Sequence, residues 1–169
     1  MDSMEAEVHW YAVKAYWNRV ERAKDLFDRR GIEYYAQSIL PSYLFIHTDA
    51  DTADSLRHEE WRILHIFTRK VKSESGVLMV PAPIPEKEME TFRLVTAAGA
   101  GGLQFLGSDP AVYQQGDKVR VTDGPFKGAE GYIKRIKKDR RLVVTISGVA
   151  AIATSFIPPQ LLEKIENND

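Results

Sequence analysis

The sequence has no cysteine among its 169 residues, which excludes disulfides and thiolate zinc sites and suits a reducing cytoplasm. It has almost no net charge, −1 at pH 7, which argues against a protein that coats nucleic acid. No apolar run is long enough to cross a bilayer, and the first residues lack a basic, apolar signal segment. A cytoplasmic protein with no membrane partner is expected. Catalytic signatures are also missing. His9, His47, His58 and His65 do not form His-Glu-x-x-His, because Trp61 and Arg62 follow His58-Glu59-Glu60 where the second histidine is required. There is no Gly-x-Ser-x-Gly and no Gly-Lys-Ser/Thr phosphate loop. The expectation is a non-enzyme without cofactor or metal. Internal repeats and low-complexity segments are absent as well.

The chain does contain two regions of different character. Residues 1–96 carry 13 Lys and Arg against 16 Asp and Glu, and residues 97–169 carry 10 against 8. Residues 1–7 are polar and expected to fray. Val8 to Ala15 alternates, with Trp10, Ala12 and Lys14 on one face and His9, Tyr11 and Val13 on the other, which predicts a strand. Asn18 and Glu21 resemble a capping box before Val20, Ala23 and Phe27 at helical spacing, and Gly31 ends that helix after Arg29-Arg30. Further strands are predicted at 32–39, 43–47 and 61–69, with Ile63, His65 and Phe67 opposite Leu64 and Ile66 in the last. A short strand is predicted at 77–80 and a helix at 49–60 capped by Asp51. Pro85 and acidic Glu86 and Glu88 begin a helix over 86–96 that carries Met89, Phe92 and Val95. The first region therefore reads as an α+β domain over 8–97, an antiparallel sheet flanked by helices. Residues 98–112 are glycine-rich and read as a linker.

The second region centres on Gly116 to Tyr132. Val119 and Val121 alternate with Lys118, Arg120 and Thr122, then Asp123-Gly124-Pro125-Phe126 breaks the strand. Gly128 and Gly131 fit positions that need positive φ or close backbone contact. Short strands follow at 131–136, 142–146 and 150–154, with a closing turn at Leu161-Leu162. Lys137-Lys138-Asp139-Arg140 is expected at a hairpin tip. Val119, Val121, Val143, Val144 and Thr145 favour strands over helix. A small closed barrel over 113–167 is expected, since closure removes unpaired strand edges from a unit of this size.

Gly116, Val119, Val121, Gly124, Pro125, Phe126, Gly128 and Gly131 resemble the KOW motif of small SH3-like barrels. Trp10-Tyr11-Ala12-Val13-Lys14, Leu40-Pro41-Ser42-Tyr43-Leu44-Phe45-Ile46 and Pro83-Ile84-Pro85-Glu86-Lys87-Glu88-Met89 resemble, in order, three segments of the NusG N-terminal domain. The similarity covers residues 8–167 and implies a NusG-family transcription elongation or antitermination factor. Ile32 reaches Pro41 without the longer basic excursion usual in the family, which leans toward a specialised paralogue of the RfaH or UpxY kind.

The resemblance implies that Tyr43 and Phe45, with Ile66 and Phe67 as neighbours, meet the clamp helices of the largest RNA polymerase subunit and thereby suppress pausing or termination. Filling the protein's own core is the competing role for those side chains. It also implies that Lys14, Trp17, Arg19 and Arg22 face non-template DNA, against the alternative of a solvated helix face. Lys134, Arg135, Lys137, Lys138, Arg140 and Arg141 could contact RNA or an acidic partner, or form a charged, soluble turn. Ser147 stands where the family has an aromatic, which removes an anchor for a ribosomal protein or termination factor. The other functional reading is a KOW-type RNA- or ribosome-binding module with no polymerase contact.

Overall fold

The computed structural model describes residues 6–98 and 101–165, and the chain forms two compact units, Met1–Ile84 and Pro85–Asp169. Residues 1–5 of the expected frayed segment, Gly99 and Ala100 of the expected linker and residues 166–167 of the expected barrel lie outside the described residues.

The first unit is built on the alternating strand β1 (Val8–Ala15). β1 pairs antiparallel with β3 (Tyr43–Asp49), placing Tyr11 opposite Ile46 and Ala12 opposite Phe45. Its other side pairs with β4 (Leu64–Ile66), and β2 (Glu33–Tyr35) extends the sheet beyond β3, giving the order β2-β3-β1-β4. Because strand side chains alternate, Tyr11, Val13, Leu44, Ile46, Leu64 and Ile66 share one face. Helices α1 (Val20–Arg30) and α2 (Ala50–Glu59) add Ala23, Leu26, Phe27, Ala53 and Leu56 to that cluster. Phe27 is fully buried there, so truncating it to alanine costs about 3–5 kcal/mol.

Local chemistry sets the element ends, with some departures from the sequence reading. Gly31 closes α1 at φ 67, as expected of a left-handed C-cap. Asn18 is not the N-cap: it adopts φ 51 inside a turn closed by Arg19 N–H donating to the Tyr16 carbonyl (2.8 Å), and Arg19 takes the cap position. Asp49, not Asp51, caps α2, accepting from the Thr52 N–H and hydroxyl at 2.8 Å each. β2 is short because a turn at Gln37–Leu40 takes over the chain. The strand expected over 61–69 divides. After Phe67 the chain leaves β1, and β5 (Thr68–Ser73) pairs instead with β6 (Gly76–Pro81) as a separate two-stranded hairpin.

The second unit begins with α3 (Glu86–Ala97), which the sequence reading had assigned to the first domain. Five antiparallel pairings join β7 (Gln104–Gly107), β8 (Lys118–Val121), β9 (Glu130–Ile136), β10 (Asp139–Ile146), β11 (Ala150–Phe156) and β12 (Leu162–Lys164) in the order β12-β8-β9-β10-β11-β7. This is the all-β architecture expected around the KOW motif. The stretch expected to be a linker is structured from residue 101 onward: β7 pairs with β11, and Leu106 and Tyr113 pack against Val143, Ala151 and Ala153. Apolar Phe105 and Leu106 make a strand where the glycines alone suggested flexibility.

The first turns of α3 are fastened to the sheet. Ser147 donates both its N–H (2.7 Å) and its hydroxyl (2.8 Å) to the Glu88 carboxylate. Gln114 Nε2 donates to the Thr145 and Ser147 hydroxyls, and Lys87 pairs with Glu130 at 3.3 Å. Glu130 also meets Arg120 at 3.3 Å, and its backbone N–H donates to the Thr91 hydroxyl.

Candidate functional site

The KOW glycines serve two different needs. Gly116, Gly124 and Gly128 have φ of 91, 87 and 94, a region that L side chains rarely adopt. The turn that Gly124 and Gly128 build is closed by Lys127 N–H to the Gly124 carbonyl, Gly128 N–H to the Val121 carbonyl and Ala129 N–H to the Phe126 carbonyl. Phe126 and Ala129 are buried beneath it, and Val121 N–H donates to the Ala129 carbonyl. Val119 pairs with Gly131 between β8 and β9. Gly131 has no positive φ, but a Cβ there would fall on the Val143 carbonyl oxygen of β10. Pro125 sits in the same turn. The motif is therefore a rigid platform whose outward chemistry comes from its neighbours.

One such neighbour is the β9–β10 hairpin. Its loop is Lys137-Lys138, with Lys137 at φ 60. Arg135 lies directly opposite Arg140, so two exposed cations share one face of the ribbon. Lys134 and Arg141 are engaged locally: Lys134 Nζ donates to the Gln115 carbonyl at 2.7 Å, and Arg141 lies 3.8 Å from Asp139. The six expected cations thus resolve into four exposed ones, Arg135, Lys137, Lys138 and Arg140, and two partly buried ones.

In the first unit, the connection from β1 to α1 and the segment before β4 come together. Tyr16 N–H donates to the Ile63 carbonyl at 3.0 Å, which holds the two loops side by side. Trp17 is 92% exposed and Trp61 60% exposed, and the Arg62 guanidinium stands 5.1 Å from the Trp61 ring centroid. Tyr16, Trp17, Arg19, Trp61 and Arg62 line a depression of about 380 Å³. Lys14, Trp17 and His65 belong to an adjoining one of about 660 Å³. The expected residues Lys14, Trp17 and Arg19 are thereby gathered, and Trp61 and Arg62 join them. Sequence order hid the last two, although an aromatic beside a cation ahead of a strand was the available signal. Arg22 is set apart in a hollow with Asp25, Asp28 and Arg29. Exposed aromatics among cations can stack on unpaired bases while drawing in phosphates.

The sheet face away from α1 and α2 carries the aromatic set. The Tyr43 and Phe67 rings stack with centroids 6.2 Å apart, His65 meets Phe67 edge-on at 5.3 Å, and Lys14 Nζ lies 5.7 Å from the Tyr43 centroid. Burial raises the Tyr43 hydroxyl above its ordinary pKa. In the intact chain Tyr43 is 6% exposed and Phe45 1% exposed, whereas Phe67 is half-buried. Ile66 does not belong with them: it pairs with Val13 and points into the helix-covered core. The one-residue offset between Ile66 and Phe67 puts their side chains on opposite faces.

Among the described residues, no group of three or more His, Cys, Asp and Glu is placed to hold a metal, and no helix is long and apolar enough to cross a membrane.

Comparison with known proteins places these features in context. The KOW motif family matches residues 115–147. The transcription termination/antitermination protein NusG of Deinococcus radiodurans is 25% identical over 177 residues, covering 83% of this chain and 92% of the relative. The protein of the same name from Thermus thermophilus is 24% identical over 171 residues, covering 83% and 91%. That of Escherichia coli K12 is 25% identical over 115 residues, covering 66% and 56%. With an α+β first unit, a KOW turn in an all-β second unit and relatives matched along 83% of its length, the chain is similar to NusG proteins across both units.

Proposed function

We propose that this protein regulates transcription elongation, binding RNA polymerase through its first unit and opposing pausing or termination. The observation that carries the reading is the match to relatives named transcription termination/antitermination proteins along more than nine-tenths of their length. Phe67 is the exposed part of the contact to the clamp helices of the largest polymerase subunit, with Tyr43 stacked against it and Phe45 supporting both from within. Lys14, Trp17 and Arg19, joined by Trp61 and Arg62, take single-stranded non-template DNA. The mechanism is differential binding: a factor that holds the elongating conformation more tightly than the paused one shifts the population toward elongation.

The test is binding of the full chain to bacterial RNA polymerase core, followed by a pause-lifetime assay. Phe67→Ala should weaken binding without unfolding the protein, because Phe67 is only half-buried. Phe45→Ala is less informative, since it opens a cavity in the fold. Absence of core binding by the unsubstituted chain would sink the reading.

The opposed Arg135 and Arg140 favour a second reading, an RNA- or ribosome-binding module acting through the KOW unit. RNA binding lost in R135E/R140E, with no polymerase binding in any variant, would make it the better account. The Ser147 turn is occupied by Glu88, so a ribosomal protein or termination factor docking there is not part of the proposal.

A further inference from the structure

The β5–β6 hairpin forms a sheet of its own and, among the described residues, pairs with no other strand of the first unit. Its register sets Lys70 opposite Met79 and Lys72 opposite Val77, so these four side chains share one face. Val77 is 63% exposed and Met79 43% exposed, with Leu78 between them also exposed. Single exposed apolar residues are ordinary, but three consecutive ones on a two-stranded ribbon are not; Leu78 points to the opposite face, which leaves Val77 and Met79 as an apolar pair beside the two lysines. The ribbon is also held in place. Arg57 Nη2 donates to the Met79 carbonyl at 3.1 Å, and Asp54 holds Arg57 at 3.0 Å, which ties the outer edge of β6 to α2.

The face is therefore two-toned, with a cationic row on β5 beside an apolar row on β6, roughly 5 Å apart. Along each strand the row repeats about every 6.8 Å, close to the roughly 6 Å between residues i and i+4 of a helix. A second copy of this chain is a poor occupant, because edge pairing of two β5 strands would set Arg69, Lys70 and Lys72 against like charges. Nucleic acid is also poor, because the hairpin has no aromatic for stacking and its apolar row would gain nothing from phosphates. We infer that this face docks an acidic, amphipathic protein segment. Acidic side chains meet Lys70 and Lys72, and apolar ones cover Val77 and Met79. The inference rests on the polymerase reading, and the segment belongs to RNA polymerase.

The test uses the full chain with a photo-crosslinking amino acid in place of Val77, bound to polymerase core, alongside V77S/M79S and K70E/K72E. Circular dichroism of each variant should match the parent, since all four residues are at the surface. The crosslink is expected on a polymerase segment that carries acidic residues beside apolar ones at helical spacing. Each double variant should bind roughly tenfold more weakly, and K70E/K72E should bind with less dependence on salt. Parental affinity in both variants, or crosslinks to nucleic acid alone, would overturn the docking site while Phe67→Ala still weakened binding and the polymerase reading stood. If the parent chain failed to bind core at all, both would fall.

Discussion

Removing the Trp17 indole tests the nucleic-acid surface most directly, because little else depends on it. The side chain is 92% exposed, so Trp17→Ala should leave folding stability within about 0.5 kcal/mol of the parent. Stacking of one base on an aromatic contributes about 1–3 kcal/mol, so affinity for a short oligothymidylate should fall roughly 5- to 150-fold. Lys14, Arg19 and Arg62 flank the indole. If each displaces one counterion from a single strand, the slope of log K against log salt should be about −2, and Arg62→Ala should reduce its magnitude by about 0.7. Tryptophan quenching during titration reads both effects. Trp10 is stacked on His47 with centroids 4.7 Å apart, so Trp17 and Trp61 should supply most of the change. Unchanged affinity and undiminished quenching in a folded Trp17→Ala protein would refute the stacking site.

The remaining predictions concern the framework. Gly131→Ala should destabilise the second unit by about 1–3 kcal/mol, because the added Cβ strikes the Val143 carbonyl; all three tryptophans lie in the first unit, so far-ultraviolet circular dichroism is the measurement, and a change under 0.5 kcal/mol would contradict the close approach. Lys137→Gly should stabilise the hairpin by roughly 1 kcal/mol in thermal unfolding, since glycine relieves a left-handed lysine. Asp49→Ala should cost about 1 kcal/mol through loss of the α2 cap. The Thr52 N–H, then its hydroxyl, depress the Asp49 pKa, so this contribution is fully present above the unfolded carboxyl value of about 3.9 and disappears as pH falls through the lower folded value. The stabilities of the parent and of Asp49→Ala should therefore begin to converge as pH falls below about 3.9 and meet only below the lower folded value, and a constant difference across that range would rule the cap out as the cause.

Much of this was open to reading along the chain. Strict alternation in Val8–Ala15 specified β1, and Gly31 after two arginines specified the end of α1. The KOW turn was legible because its glycines are positions where a side chain meets either a forbidden φ or another strand. The misplaced caps at Asn18 and Asp51 have a common cause. Several polar residues near each helix start could cap it, and the hydrogen bonds of the preceding turn or strand choose among them.

The sequence by itself determined the periodicities, the turn chemistry and the order of the segments, because these depend on neighbours within a few residues. Tertiary structure decided what brings distant residues together. It set Trp61 and Arg62 beside Trp17 across the Tyr16–Ile63 hydrogen bond, turned Ile66 into the core and Phe67 toward Tyr43, and drew residues 104–107 into the second sheet. Burial, cross-strand register and the choice of partner for a free strand edge are properties of pairs far apart in the chain. Local pattern limits the choices for each such pair without selecting one.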